Sequence, residues 1–503
     1  MFLYQWLSQV AGDHGSGKAL VYRDTYLSWR GFIHRVDRRA QELHAMGIGP
    51  GAWVGLMLGN VPDFVILALA VSKLKGVVVP LDPTTGNREL ELILEAAPLR
   101  ALITRPRGGE GAQAAAAAAM SSSSTSLRGP SAPLRPAPPS KFIPETRRRL
   151  QGTLLTCSLY KRSPSNGTSR PDVAVVQFTA DVGGDPKGVL RSAANLETSA
   201  TLIGGTLEMT PSDRVLCTVP LHHSYGFDFG MLATLANGST LFLEDEVSPK
   251  RIAKLVREHS IDVFPGTPGL FGSLVRVPTV RPLKVSGARY VSSGSILPSQ
   301  VAESFHERFG VRLLSCYHTT ELGPVAIDRT GKDPESVGKP FKGVDVRVLP
   351  LAGGRPVIGD AGAVWVRTKG LALGSVPKVH VPVRSGGGTQ VGGVDSEGWY
   401  RTGDLGYLDR TGKLTLAGRE DDLVKVDGKR VALGEVEGCL ESFPKVKAAR
   451  ARVVTDDQGG PMVVARVVRT GVCKAEEIID HCARNLAPYK VPRHIEFCEQ
   501  LPS

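Results

Sequence analysis

A glycine-bearing segment with a single lysine is the first candidate for chemistry. It covers residues 177–189, QFTADVGGDPKGV, and begins at the end of an apolar, strand-like run. Backbone N–H groups in such a loop can bind phosphate oxygens, and Lys187 would add a positive charge. A glycine loop with one lysine can also be a plain connection, so this motif alone leaves both interpretations open.

A second segment combines a hydroxyl with a carboxylate. Residues 317–323, YHTTELG, place Thr320 beside Glu321. Mg²⁺ is commonly held by one or two protein carboxylates together with substrate phosphates. Glu321 could hold the ion in this way while Thr320 donates to a phosphate oxygen. The alternative is a solvated acid in a loop.

A third set of polar residues lies further along the chain. Residues 399–404, WYRTGD, end on Asp404, whose carboxylate can accept hydrogen bonds from two ribose hydroxyls. Arg419 could contact ribose or phosphate. Lys425 lies on an expected strand beside a tight turn.

The elements around these motifs alternate between helical and strand patterns, which favours a parallel sheet. We expect helices over 35–46, 63–73, 193–201 and 249–259, and strands over 52–58, 76–81, 173–178, 213–219 and 261–264. From about residue 341 short strands prevail, at 344–349 and 363–367 and in hairpins over 406–416 and 423–432. A helix at 434–443, a strand at 463–468 and a helix at 475–486 complete the chain, and we place a domain boundary near 418–422.

Composition excludes several classes of protein. The 503 residues carry a net charge of +12. Residues 105–162 hold ten basic and two acidic residues, so this one segment contributes +8 of the net charge. Because the positive charge belongs mainly to one segment, we expect no nucleic-acid partner. That segment is rich in Ala, Ser and Pro, and we predict that it is disordered.

The longest apolar run, 64–71, is too short to span a bilayer, and the start of the chain lacks a signal-peptide pattern. Seven scattered cysteines without a C-x-x-C pair indicate reduced thiols and a cytoplasmic location.

In order and spacing, the motifs resemble those of the adenylate-forming superfamily, which includes acyl- and aryl-CoA synthetases, luciferases and nonribosomal adenylation domains. Residues 178–189 align without a gap to the phosphate loop of that family, and 317–321, 401–404 and 418–428 match its later motifs. Segments 47–64, 77–83, 219–227 and 335–344 agree as well, so the similarity covers nearly all of the chain outside 105–162.

The resemblance implies an α/β fold with two domains. The large domain, residues 1–417, would contain layered α/β/α sheets and a small β-barrel, and the small, mobile α+β domain would cover 418–503. It also implies an ATP-dependent reaction in two steps. A carboxylate attacks the α-phosphate of Mg-ATP, and a thiol, usually that of coenzyme A, then takes the acyl group and releases AMP. Rotation of the small domain about a hinge would separate the two steps.

Residue roles follow from the same resemblance. His223 would lie near the acyl carboxylate, Glu321 would bind Mg²⁺, Asp421 would be the hinge residue, and Lys425 would face the site during thioester formation. Thr320 would contact the α-phosphate, and Arg419 would contact the nucleotide. The residues expected to bind the nucleotide are Thr179, Gly184, Lys187, Gly188, Ser293, Gly294, Ser295, Tyr317, Thr320, Asp404 and Arg419.

The sequence departs from the family pattern at two functional places. In the phosphate loop, Ala180, Val182 and Gly183 replace small hydroxyl residues, and Asp181 replaces a glycine. Lost hydroxyls and a repelling carboxylate would weaken phosphate binding. The sequence also ends at Ser503, before the family's terminal lysine motif, whose lysine bridges the acyl carboxylate and ATP.

Three functions therefore stay open. The first is an acid–thiol ligase acting on a fatty or aromatic acid and coenzyme A, with activity impaired by the altered loop. The second is an adenylating enzyme that loads an acyl carrier protein. The third is a nucleotide- or acyl-binding homologue with little catalysis. The acid pocket is expected near 222–229, 265–271 and 292–295, and Tyr225 at the position of an amine-binding acid disfavours an amino-acid substrate.

Overall fold

The computed structural model describes twelve stretches of the chain. They are residues 3–85, 87–105, 144–160, 172–180, 186–278, 287–351, 361–376, 393–420, 423–426, 429–455, 461–486 and 490–501. The chain divides into two compact units. Unit 1 contains residues 1–247 and 370–381, and unit 2 contains 248–369 and 382–503.

Two helices of unit 1 begin at a capping serine. Ser28 and Ser192 accept hydrogen bonds from backbone N–H groups three residues later, and Asn195 completes a capping box. The expected helices of this unit are confirmed. The helices are α1 Leu3–His14, α2 Trp29–Ala45, α3 Pro62–Lys73, α4 Asn87–Ala96, α5 Ala193–Thr206, the π-helix Gly226–Leu232 and α6 Ala233–Ala236.

An eight-stranded sheet carries the predicted phosphate loop. Its strands are β3 Trp53–Met57, β4 Val77–Pro80, β5 Leu99–Thr104, β6 Thr146–Arg149, β7 Thr156–Leu159, β8 Val173–Ala180, β9 Pro186–Ser192 and β19 Gly374–Val376. The order is β19-β9-β8-β4-β3-β5-β7-β6. Strands β8, β4, β3 and β5 run parallel, as predicted, whereas β8 and β9 form an antiparallel hairpin.

Part of the segment predicted to be disordered is ordered. Residues 106–143 lie outside the described residues, but 144–160 contain β6 and β7, which pair with each other, while β7 also pairs with β5. The prediction is therefore wrong for this part. Strand β6 lies at the edge of the sheet, and all four of its side chains, three of them arginines, are exposed. An edge strand of this kind can form without apolar residues, so its composition did not indicate a strand.

Unit 1 contains four further strands, β1 Lys18–Tyr22, β2 Thr25–Ser28, β10 Arg214–Cys217 and β11 Thr240–Leu243. They lie side by side in the order β10-β11-β1-β2. Strand β11 is parallel to both β1 and β10. The helix α3 is apolar along its length, and residues 64–72 are all buried.

Unit 2 begins with a sheet in the order β16-β15-β14-β13-β12. Its strands are β12 Val263–Gly266, β13 Arg289–Ser292, β14 Leu313–Thr319, β15 Gly323–Ile327 and β16 Lys339–Pro340. The first three are parallel and the last two antiparallel. Its helices are α7 Pro249–Glu258, α8 Pro268–Val275 and α9 Ser299–Phe309.

The small β-barrel is not found among the described strands. Instead, β17 Asp345–Leu349, β18 Gly362–Arg367, β20 Tyr400–Leu408 and β21 Leu414–Arg419 form an open antiparallel sheet in the order β17-β18-β20-β21. No pairing joins β17 to β21 in the described part of the chain, so the two edges of this sheet do not close. The predicted strands themselves are confirmed.

The last part of unit 2 has its own apolar core, formed by residues 431–497. It contains the hairpin β22 Leu423–Val426 and β23 Lys429–Ala432, the sheet β24 Val446–Thr455, β25 Pro461–Arg469 and β26 His494–Cys498, and the helices α10 Leu433–Glu441 and α11 Ala475–Asn485. The α/β fold class is confirmed, while the boundary near 418–422 stays a prediction. None of the described helices is long and apolar enough to cross a membrane.

Candidate functional site

The hairpin β8–β9 holds the ends of the predicted phosphate loop. Thr179 pairs with Lys187, and Ala180 pairs with Pro186. The Thr179 hydroxyl donates to the Lys187 carbonyl at 3.4 Å. Residues 181–185, which include Gly184 and the altered positions 181–183, lie outside the described residues. The described part of the loop therefore presents Thr179 and Lys187 as cross-strand partners.

Gly188 permits close packing beneath this loop. A Cβ atom there would lie 3.0 Å from the Phe178 ring and from a Val176 methyl, which is tighter than ordinary van der Waals contact. A glycine at this position thus allows β8 and β9 to keep their register with the Phe178 ring folded against the hairpin.

In unit 2 the structure joins three of the predicted nucleotide residues. The Tyr317 hydroxyl donates to Asp404 Oδ2, and Arg419 Nη1 donates to Asp404 Oδ1 at 3.2 Å. Tyr317 ends the buried part of β14, whereas Asp404 and Arg419 are direct partners on β20 and β21. Burial and the negative charge of Asp404 raise the pKa of Tyr317 well above its usual value, so the hydroxyl stays a donor.

This cluster fits a nucleoside. A carboxylate offers about four acceptor positions, so Asp404 can accept hydrogen bonds from several donors at once, ribose hydroxyls among them. Tyr317 supplies an aromatic face, and Arg419 supplies a positive charge with half of its side chain exposed. The arrangement supports the sugar and base of a nucleotide beside a cation for phosphate.

Other predicted residues lie at the carboxyl ends of strands in the same unit. Thr320, which is buried, and Glu321 form the turn between β14 and β15. Ser293, also buried, follows β13 and donates its N–H to the Gly266 carbonyl at 3.2 Å. In parallel sheets ligands commonly bind beyond the carboxyl ends of the strands, so a ligand could reach these residues. Their roles stay predictions.

Gly294 and Ser295 continue that loop and are exposed. Gly294 has φ of +93°, a conformation that favours glycine, and it turns the chain immediately after Ser293. The loop therefore leaves Ser295 at the surface while it keeps Ser293 buried.

Of the two residues predicted near the hinge, Asp421 and Lys425, the structure describes only Lys425. Asp421 lies outside the described residues. Lys425 lies on β22, where its backbone is the direct partner of Arg430. Its predicted part in thioester formation stays a prediction.

The structure adds two polar neighbours to His223. Its ring lies 4.7 Å, centroid to centroid, from that of His222, and His222 Nε2 lies 3.6 Å from Asp82 Oδ2. Burial, reinforced by the neighbouring imidazole, lowers the pKa of His222 to about 4. Partial burial of the ring also lowers the pKa of His223, although the residue as a whole is exposed. Both imidazoles are therefore neutral near pH 7.

Asp82 is held in place by its own loop. The backbone N–H and the hydroxyl of Thr84 both donate to Asp82 Oδ1 at 2.7 Å. Burial opposes ionisation of this carboxyl, but the bonds from Thr84 and the nearby imidazoles outweigh it and lower its pKa. Sequence reasoning included His222 only in the expected acid pocket, 222–229, and assigned no role to Asp82. The signals for this pair were the histidine doublet and the acid in the segment 77–83.

Glu321, the predicted metal ligand, belongs to no cluster of three metal-ligating side chains in the described residues. Within the described ranges no group of three His, Cys, Asp or Glu side chains could form a metal site. Glu321 alone fits an ion that arrives with substrate phosphates, since such Mg²⁺ sites commonly use one or two carboxylates.

Comparison with known families gives two matches along the chain. Residues 7–376 match the model described as AMP-binding enzyme, and residues 435–503 match that of the AMP-binding enzyme C-terminal domain. The chain belongs to the AMP-binding enzyme family. The predicted membership of the adenylate-forming superfamily is thereby confirmed.

Relatives cover most of this AMP-binding enzyme. It is 27% identical to the Probable CoA ligase CCL9 of Humulus lupulus, over 99% of this chain and 92% of the relative. It is 25% identical to the Medium-chain fatty-acid–CoA ligase of Escherichia coli, over 93% of this chain and 82% of the relative. Among solved structures, the amide bond synthetase McbA of Marinactinospora thermotolerans superposes with a TM-score of 0.76 at 25% identity, covering 99% of this chain and 96% of that one.

A further structure supports the fold alone. The anthranilate CoA ligase AuaEII in complex with anthranoyl-AMP has a TM-score of 0.79 at 21% identity, with 100% of this chain and 94% of that one covered. This likeness confirms the mixed α/β architecture.

Proposed function

We propose that this AMP-binding enzyme activates a hydrophobic carboxylic acid with ATP and transfers the acyl group to coenzyme A. In the first step a carboxylate oxygen attacks the α-phosphorus and pyrophosphate leaves. In the second step the thiol sulfur, having lost its proton, attacks the acyl carbonyl and AMP leaves. ATP and coenzyme A are both substrates of this reaction, and Mg²⁺ enters with ATP.

The cluster of Tyr317, Asp404 and Arg419 is the observation that carries this proposal. It places a carboxylate acceptor between an aromatic hydroxyl and a guanidinium in one unit. Asp404 would accept from the ribose hydroxyls, and Tyr317 would pack on adenine. Arg419 would neutralise phosphate charge as the pentavalent transition state forms.

The other predicted residues would each have a separate part in the reaction. Lys187, at the hairpin, would balance the charge of the leaving pyrophosphate. Thr320 would donate to the α-phosphate, and Glu321 would hold Mg²⁺, which lowers repulsion between phosphate and attacking carboxylate when bound. Lys425 would serve the thiol step after the segment 418–503 has moved as a separate domain about Asp421.

The residues around His223 support an apolar acid, fatty or aromatic. Tyr225 and Phe229 are buried and stack edge to face with centroids 5.0 Å apart. Neutral His222 and His223 can donate a hydrogen bond to the acid without a full ionic attraction. The curated relatives include a medium-chain fatty-acid ligase and an indoleacetate ligase, which is in line with both acid classes.

Coenzyme A is the proposed acceptor because the relatives are named as CoA ligases. The carrier-protein alternative has no specific support in the described residues. The seven free cysteines favour a reducing, cytoplasmic compartment, in which coenzyme A is available.

The test combines both half-reactions. The protein is incubated with Mg-ATP and a panel of fatty and aromatic acids, and acyl-AMP is measured by mass spectrometry before and after coenzyme A is added. Acyl-AMP that converts to acyl-CoA supports the proposal, with Asp404→Ala as the control that should form much less acyl-AMP at limiting ATP. Acyl-AMP that persists with coenzyme A would direct the search to a carrier protein. Folded protein that binds ATP but forms neither product would contradict the catalytic proposal.

A further inference from the structure

A fully buried ion pair joins the hairpin β8–β9, which leads to the predicted phosphate loop, to the π-helix. Arg191 and Asp228 have no exposed side-chain surface, and they form two parallel hydrogen bonds of 2.8 Å each. Arg191 also donates to Gln177 Oε1 at 2.9 Å and to Ser199 Oγ at 3.0 Å. We refer to these four residues as the buried anchor.

The buried anchor joins elements with different parts in the proposed reaction. Gln177 and Arg191 lie on β8 and β9, the two arms of the hairpin that ends in the phosphate loop. Asp228 lies in the π-helix, beside the turn that carries His223. The buried anchor therefore connects the hairpin that is proposed to bind the nucleotide directly to the region that is proposed to bind the acid.

The π-helix has little freedom to move independently of this link. A Cβ atom on Gly226 would lie 2.4 Å from the Pro220 carbonyl oxygen, and one on Gly230 would lie 2.3 Å from Cys217 Sγ. Tyr225 and Phe229 stack on each other, one turn apart. A shift of Asp228 would consequently move the aromatic pair with it. Single π-helical turns are rare and often occur at functional sites.

Stability alone is a poor explanation for the anchor. Two charges that are removed from water lose much solvation free energy. A protein in which apolar residues of similar size replace a buried ion pair is often just as stable. The anchor also leaves Arg191 Nε and Gln177 Nε2 buried without a hydrogen-bond partner in the described part of the chain. What the bidentate geometry supplies is a fixed distance and orientation between hairpin and π-helix.

We infer that Arg191 and Asp228 are positioning residues that couple nucleotide binding at the hairpin to the order of the acid-binding turn. The inference rests on the proposed function, because it takes the hairpin as the phosphate site and the π-helix region as the acid site. Neither residue touches the reacting atoms. Coupling requires that nucleotide contact at the loop restrains β9, and that Arg191 transmits this restraint to Asp228.

Hydrogen–deuterium exchange on the full chain tests the coupling without knowledge of the acid. The probe is α,β-methylene-ATP with Mg²⁺, which is resistant to attack at the α-phosphate. In the wild type, we expect the probe to slow exchange in the peptide that covers 226–232 by about fivefold or more, the lower range of allosteric coupling. In the double variant Arg191→Met with Asp228→Leu, exchange in this peptide should no longer respond to the probe, while slowing near the hairpin persists.

A matched control separates coupling from loss of stability. Arg39 and Glu42 form another nearly buried ion pair in unit 1, and Arg39 donates to the Gln151 carbonyl at 2.9 Å, away from the hairpin. The double variant Arg39→Met with Glu42→Leu should keep the full response of 226–232. Arg191→Lys retains the charge but not the bidentate geometry, so it should retain only part of the response.

Two results would overturn the inference. One is a wild type that binds the probe without any change in 226–232, and the other is an anchor variant that keeps the wild-type response. Both leave the proposed function standing, since the probe still binds. A wild type that does not bind the probe at all would remove the proposed nucleotide site, and the inference would fall with it.

Discussion

Asp404 provides the sharpest test of the nucleotide site. The variant Asp404→Ala removes the carboxylate that accepts from Tyr317 and Arg419. In the proposed complex it also removes the acceptor of the ribose hydroxyls. Bonds to a charged acceptor contribute about 1.5–3 kcal/mol each. Because Tyr317 and Arg419 compete for the same oxygens, we expect a total loss of about 2–3 kcal/mol, or roughly 30- to 150-fold weaker ATP binding.

Affinity alone would not identify the contact, so the ligand is varied as well. ATP and 2′,3′-dideoxy-ATP are titrated by calorimetry into the wild type and Asp404→Ala. The wild type should prefer ATP by about the same 2–3 kcal/mol, and the variant should bind both equally, as a double-mutant cycle for one contact requires. An Asp404→Ala protein that still prefers ATP by the wild-type margin would refute the ribose assignment.

Stability needs a separate control in this experiment. Asp404→Ala leaves the buried Tyr317 hydroxyl without this acceptor, which should lower the free energy of unfolding by about 1–3 kcal/mol. The double variant with Tyr317→Phe removes that penalty but not the ribose defect. Tyr317→Phe alone keeps the carboxylate, so it should retain the preference for ATP.

Three further predictions concern unit 1. Asp181→Gly should tighten ATP binding, since a carboxylate about 5 Å from a phosphate charge repels it by roughly 3 kcal/mol at an effective dielectric of 20; equal affinities in calorimetry would exclude that repulsion. Because the pKa of His222 is lowered to about 4, the folded protein binds fewer protons than the unfolded chain between pH 6.5 and 4, and stability falls as the pH drops through this window. From pH 7 to pH 5 the wild type should lose about 2 kcal/mol more than His222→Gln in urea unfolding, and parallel profiles would contradict the burial of a neutral imidazole. Gly230→Ala places a Cβ 2.3 Å from Cys217 Sγ and should cost about 1–3 kcal/mol; Cys217→Ala should recover part of this loss, and its failure to do so would show that the contact is not the cause.

Much of the fold follows from periodicity and caps in the sequence. The helix α3 was predicted over nearly its full length because an unbroken apolar run of that length packs on all sides. Strands β22 and β23 were predicted because Asp-Gly favours a two-residue turn between alternating residues. The strand β6 was missed because an edge strand with exposed side chains has no apolar pattern to detect.

The candidate site was predicted less completely. The motifs indicated Tyr317 and Asp404, and the structure joins them by a hydrogen bond. Neither local propensity nor motif spacing indicates that Arg191 and Asp228, 37 positions apart, form a buried pair. Such a pair depends on how β9 and the π-helix pack, and a π-helical turn has no distinctive sequence period.

The pairing of Ala180 with Pro186 has a consequence for how this protein can change. The sheet holds Ala180 and Pro186, the residues on either side of the segment 181–185, together. Bringing the two ends of a segment together costs conformational entropy, and the pairing of β8 with β9 compensates for this cost. Substitutions within 181–185 leave the strand pairing that holds the hairpin together unchanged, while they can alter the predicted contacts to phosphate. Ligand affinity and foldedness can thus evolve separately at this hairpin, and a screen for thermal stability would pass strong and weak nucleotide binders alike.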